Sequence, residues 1–136
     1  MACKKCKPIQ IPLVKVQALF DPFCDNPWIE HRKAVTRAEI RRAITKGRFQ
    51  GKPTVHTRTR NIERIAWLVV HGWRKGIEID VGIPSYACSY EKLTDGWHRL
   101  AAAIYRKDDC IGVNITGSLD HAKTLFGIDC NQYDKG

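Results

Sequence analysis

The chain has 136 residues, 43% of them hydrophobic, and its 23 Lys and Arg against 14 Asp and Glu give a formal charge of +9. That length and apolar content suit one domain with a single core, and no apolar run is long enough to cross a bilayer. Residues 1 to 8 lack the apolar stretch of a secretion signal, so a cytoplasmic location and no membrane partner are expected.

Residues 9 to 16 alternate apolar with polar or proline positions and predict a short strand that begins at a sheet edge. Residues 20 to 28, with Pro22 and Pro27, predict a loop. Thr36-Arg37-Ala38-Glu39 has the form of a capping box and opens a helix over residues 37 to 46 that ends at Gly47. Residues 53 to 57 are rich in β-branched side chains and predict a strand. Asn61 is then expected to cap a helix whose apolar stripe runs through Ile62, Ile65, Ala66, Val69, Val70 and Trp73, with Gly72 and Gly76 near its end.

Residues 77 to 81 alternate at period two, placing Glu78 and Asp80 on the face opposite the isoleucines. Residues 82 to 85 break that strand, and residues 86 to 93 lead back as an extended segment. A helix is predicted over residues 97 to 105, a strand over 110 to 116, and a last short helix capped by Ser118 and closed by Gly127. This loose alternation indicates an α+β domain with a small mixed sheet and packed helices over residues 9 to 127. Residues 1 to 8 read as a flexible basic N-terminus and residues 128 to 136 as a C-terminal tail.

The positive excess draws the chain towards polyanions. Much of it lies between Arg32 and Arg64. Arg37, Arg41 and the nearby Arg48 fall at spacings that can share a helical face, and with Arg42, Arg58 and Arg60 they form a candidate nucleic-acid-binding set; a solvated basic surface is the plainer reading. Six cysteines without an export signal point to reduced thiols, most of them isolated small hydrophobes. Cys3 and Cys6 have the spacing of half a zinc site that Cys24 or His31 could complete, against a frayed basic terminus as the alternative.

The densest signal is Thr94-Asp95-Gly96-Trp97-His98-Arg99-Leu100-Ala101-Ala102-Ala103. Asp95-Gly96 suits a tight turn after an extended segment, and the alanine-rich run is a strong helix former. His98 and Arg99 then sit in the first helical turn, where main-chain N–H groups and the positive end of the helix dipole favour an anion. Trp97 can stack on a nucleobase or cover the core, and His98 can exchange a proton near neutral pH or bond a backbone carbonyl.

This stretch, followed by Ile111-Gly112-Val113-Asn114-Ile115, resembles the Asp-Gly-x-His-Arg-x-Ala-Ala signature of the ParB/sulfiredoxin superfamily. Residues 11 to 16 resemble that family's first strand, and residues 37 to 47 the helix before its next one. The resemblance implies a phosphate or nucleotide site formed by Gly96, Trp97, His98 and Arg99, with ATP or CTP as ligand and Mg²⁺ accompanying it. It also implies that Asp95 and His98 are the catalytic candidates, with Asp95 holding a ribose, orienting His98 or contacting the metal through water.

Sulfiredoxins carry a nucleophilic cysteine where this chain has Trp97, and an indole cannot form the thiosulfinate, so sulfiredoxin chemistry is not expected. Partition ParB proteins carry a glutamate there that assists hydrolysis, and Trp97 removes that carboxylate. The Asp-Gly-x-His-Arg form is more similar to stand-alone members from phages and mobile elements. Three functions follow as expectations: a nucleotide-binding protein with hydrolase or phosphotransferase activity, a DNA- or RNA-binding protein or nuclease, or a non-enzymatic phage-type inhibitor of a host protein. For a nuclease, Glu78 and Asp80 are the remaining candidate carboxylates beside Asp95.

Overall fold

The computed structural model describes residues 8–28, 30–49, 57–82 and 91–127. Among them lie four strands and six helices in a mixed α+β arrangement: β1 (Ile9–Pro12), α1 (Leu13–Leu19), α2 (Pro22–Asp25), α3 (Arg37–Thr45), α4 (Arg58–His71), β2 (Ile77–Asp80), β3 (Lys92–Asp95), α5 (Trp97–Arg106), β4 (Cys110–Thr116) and α6 (Leu119–Phe126). The elements belong to two units. One combines residues 1–19, 75–96 and 109–136, and the other residues 20–74 and 97–108.

The first unit holds a four-stranded sheet in the order β1-β4-β2-β3. β4 pairs antiparallel with β1 and parallel with β2, while β3 adds antiparallel to β2 at the edge. Period-two alternation sends Ile77, Ile79, Ile111 and Val113 into the core, where Phe126 of α6 and Val16 of α1 are also buried. Ser118 caps α6 by accepting from the His121 amide, and Gly127 closes it in the left-handed region at φ 65°.

β1 is shorter than the alternation suggested. Its register ends where Pro12 meets Cys110, the first residue of β4, so no partner strand remains for residues 13 to 16. The Leu13 amide bonds Asp109 O at 2.9 Å, and the chain turns into α1, which buries Leu13 and Val16 one turn apart. Apolar spacing alone fits either outcome over so few residues.

The second unit is helical. Its core cluster includes Trp28, Val35, Ile40, Ile65, Leu68, Ala101 and Ala102, with Trp67, Trp73, Trp97 and Tyr105 packed partly against it. Residues Leu100 to Ile104 of α5 are all buried, and the three alanines among them let the α5 backbone approach α4 closely. The capping box at α3 forms as the sequence indicates, with Thr36 accepting from the Glu39 amide and Glu39 accepting from the Thr36 amide.

Three expectations change here. The segment predicted as loop contains α2, because Asp21 caps the Phe23 amide and Pro22 occupies a helix start where no N–H is needed. Asn61 is no cap: Thr57 takes that role by accepting from the Arg60 amide, and Asn61 lies one turn inside α4 with no exposure to solvent. Cys24 and Cys110 are exposed rather than packed, the latter because it starts β4 on the outward side of the alternation. The strand predicted over residues 53 to 57, the extended segment from residue 86, Cys3, Cys6 and the C-terminal tail lie wholly or mostly outside the described residues.

Candidate functional site

Gly96 is the last residue of the 75–96 stretch of the sheet unit. It is buried at φ 110°, and an added Cβ would stand 2.5 Å from Ile77 Cγ2 and 2.8 Å from Ile77 Cβ. A side chain is therefore excluded twice, by backbone conformation and by contact with β2. Because glycine also offers no side-chain oxygen, α5 starts without the kind of cap that Thr36, Thr57 and Ser118 give to α3, α4 and α6.

The first turn of α5 then delivers Trp97, His98 and Arg99 to the helical unit. Trp97 is half-buried and meets Phe20 edge to face, with ring centroids 6.0 Å apart. His98 stacks on Trp28 at 4.9 Å, and its Nε2 lies 2.8 Å from Asn61 Oδ1. Asn61 continues the chain through Nδ2, which is 3.0 Å from His31 Nε2, while His31 Nδ1 is 2.9 Å from Lys33 O.

The polarity of this chain assigns both tautomers. A carbonyl only accepts, so His31 Nδ1–H donates to Lys33 O, and in the neutral ring Nε2 then carries the lone pair. That lone pair accepts from the Asn61 amide, which turns the Asn61 carbonyl towards His98 and requires a proton on His98 Nε2. Since Asn61 is wholly buried in α4, it fixes the ring more firmly than an exposed partner would.

Arg99 is half-buried one residue on. Arg64 of α4 is close enough to feel it: burial first, and the like charge of Arg99 second, hold the Arg64 guanidinium below its ordinary range. Arg64 also lies over the Trp67 ring, 4.9 Å from its centroid.

Asp95 and Gly96 belong to the sheet unit. Asp95 ends the edge strand β3, faces Glu78 across the β2–β3 register, and places Oδ2 3.4 Å from Lys75 Nζ. Asp80 accepts from the Gly82 amide at 2.9 Å, a turn-forming role that accounts for one of the two spare carboxylates. No group of three His, Cys, Asp or Glu side chains among the described residues is placed to hold a metal ion. The Lys75 ammonium stands beside one oxygen of the Asp95 carboxylate, and the pair is exposed.

The candidate nucleic-acid set separates into groups. Arg37 lies over the Phe23 ring at 4.7 Å, and Arg41 is exposed one turn further along α3. Arg58 is committed inside the protein: it pairs with Glu39 and donates to Lys33 O at 3.1 Å and Ala34 O at 2.9 Å. Arg48 is not on the α3 face with Arg37 and Arg41. Gly47 reverses the chain at φ 65°, and the Arg48 amide reaches back to Ala43 O at 2.9 Å. Arg48 instead lines, with Arg42 and Lys46, a groove of about 130 Å³ whose α4 wall is Thr59, Ile62 and Glu63. Arg60 is exposed on α4.

His31 is engaged with Asn61 and Lys33, and the carboxylate of Asp21 is the leading influence that raises the Cys24 thiol above its ordinary pKa. Trp28, His31, Asn61 and Arg64 were not singled out beside His98 and Arg99 from the sequence. They come from separate stretches, and only helix packing brings them together. Comparison with protein-family models, with curated proteins and with solved structures finds no match for this chain.

Proposed function

We propose that the protein binds a phosphate-bearing ligand, with a nucleotide as the leading class, at the start of α5. The observation that carries this reading is the first turn of α5, where Arg99 follows His98 and the His98 ring is held by Asn61 at 2.8 Å and by Trp28 at 4.9 Å. A guanidinium presents several N–H donors in a fork that matches phosphate oxygens, and Arg64, whose guanidinium feels the charge of Arg99, offers a second one. The positive end of the α5 dipole adds to the same field. The resemblance of the Asp95 to Ala103 stretch to the ParB/sulfiredoxin signature points to His98 and Arg99, with Gly96 and Trp97 beside them.

His98 has a defined place in this proposal. Its Nε2 proton is held by Asn61 and its face by Trp28, so the ring is set before a ligand arrives. Hydrolysis or phosphotransfer would use this imidazole for proton exchange. Titration calorimetry with ATP, CTP and inorganic phosphate, each with and without Mg²⁺, is the test. Binding should weaken at least tenfold in both Arg99→Ala and Arg64→Ala. Absence of binding at millimolar ligand, or equal affinity in the two variants and the parent, rejects the proposal.

A further inference from the structure

The outer face of α4 carries a feature that the phosphate site shares at Arg64 alone. Arg60, Arg64, Trp67 and His71 follow one another at spacings of three or four residues and so share one stripe of the helix. Consecutive planar groups meet along it: Arg64 lies over Trp67 at 4.9 Å, Trp67 meets His71 at 4.6 Å with the rings tilted by 39°, and His71 meets Phe49 edge to face at 5.7 Å. The series ends in solvent, since His71 is exposed and Phe49 is 37% exposed.

Cations flank this ladder in the same unit. Arg42, Lys46 and Arg48 face the groove between α3 and α4, and the acids lining that groove are Glu63 and Glu39, the latter already paired with Arg58. The balance is positive. A core-stabilising role explains the inner face of Trp67 but not an aromatic pair at the exposed end beside exposed arginines and a lysine.

We propose that this face binds single-stranded nucleic acid, with unpaired bases stacking on Phe49 and His71 and the backbone running along the cations of α3 and α4. Charge complementarity selects a polyanion. The planar ladder selects one with exposed rings, because aromatic side chains among cations hold single strands through base stacking. A duplex keeps its bases within the stack, and an acidic peptide brings charge without planar rings. The proposal does not rest on the α5 site, and Arg64, which serves both, is left out of the test.

The experiment is fluorescence anisotropy with labelled oligo-dT and oligo-U that carry 5′-hydroxyl ends, compared with a DNA duplex of equal length and with polyglutamate as competitor. The two single strands distinguish DNA from RNA. Expected are preference for a single strand over duplex, weakening by about fivefold or more in Phe49→Ala and in His71→Ala, and a logarithmic salt slope that becomes shallower by about 0.7 in each of Lys46→Gln and Arg48→Gln. Phe49 and His71 are exposed, so both alanine variants should melt as the parent does and keep its response to ATP and CTP. Negligible binding at low salt, equal affinity for duplex, displacement by polyglutamate at equal charge concentration, or indifference to both alanine substitutions would overturn the proposal.

Discussion

Asn61 is the residue on which most of the candidate site turns. It is the one buried polar residue of the described set, and its amide sits between two imidazoles that it reads in opposite senses. Asn61→Ala leaves the His98 Nε2–H and the His31 Nε2 lone pair without that partner, at a cost of about 1–3 kcal/mol. Urea unfolding checks the loss of stability. Nitrogen-15 spectra of the imidazoles check the tautomers: the parent should show His98 protonated at Nε2 and His31 at Nδ1, and the variant should lose that uniformity. A packing role alone would lower stability and leave the tautomers as they were.

The elements are held by local devices, and one of them links two helices. Glu39 completes the α3 capping box and also receives Arg58 from the start of α4, while Arg58 donates onward to the carbonyls of Lys33 and Ala34. Burial raises the Glu39 carboxyl pKa, but hydrogen bonds from Thr36 and Arg58 and the Arg58 charge outweigh it, so the folded value lies below the ordinary 4.5. A depressed carboxylate pKa stabilises the fold fully above the unfolded value, and that contribution is lost as pH falls through the folded one. Stability should therefore decline on acidification from about pH 4.5 downwards, and Glu39→Gln should flatten that part of the profile. Thermal melts of the parent and the variant from pH 6 to pH 3 measure the difference.

At the scale of the whole molecule, neither unit is a continuous length of chain. The helical unit takes residues 20–74 and then 97–108, and its core cluster includes Ala101 and Ala102 of α5. A fragment of residues 20 to 74 keeps α2, α3 and α4 but loses the face on which α4 packs. It should show weak helicity by circular dichroism and no cooperative thermal transition, in contrast to the full chain. A cooperative melt in that fragment would show α5 to be dispensable to the core. The same discontinuity places the two halves of the Asp-Gly-x-His-Arg stretch in different units: Asp95 and Gly96 end the middle stretch of the sheet unit, and Trp97, His98 and Arg99 open α5.

What the amino-acid order determined by itself was local. The capping box at Thr36, the Ser118 cap, the glycines after α3, α4 and α6, and the alternation in β2 and β4 depend on neighbours within a few residues, so they were legible before any fold was known. The start of α5 after Gly96 was legible for the same reason. Tertiary structure decided the rest. β1 ended early because its partner strand begins at Cys110, and Asn61 left its expected place as a cap because Thr57 supplied the needed oxygen one residue before the helix. The neighbours of His98, namely Trp28 and Asn61, lie 70 and 37 residues away along the chain. No spacing rule encodes such pairs, because they arise from the packing of a buried helix face whose geometry depends on the whole core at once.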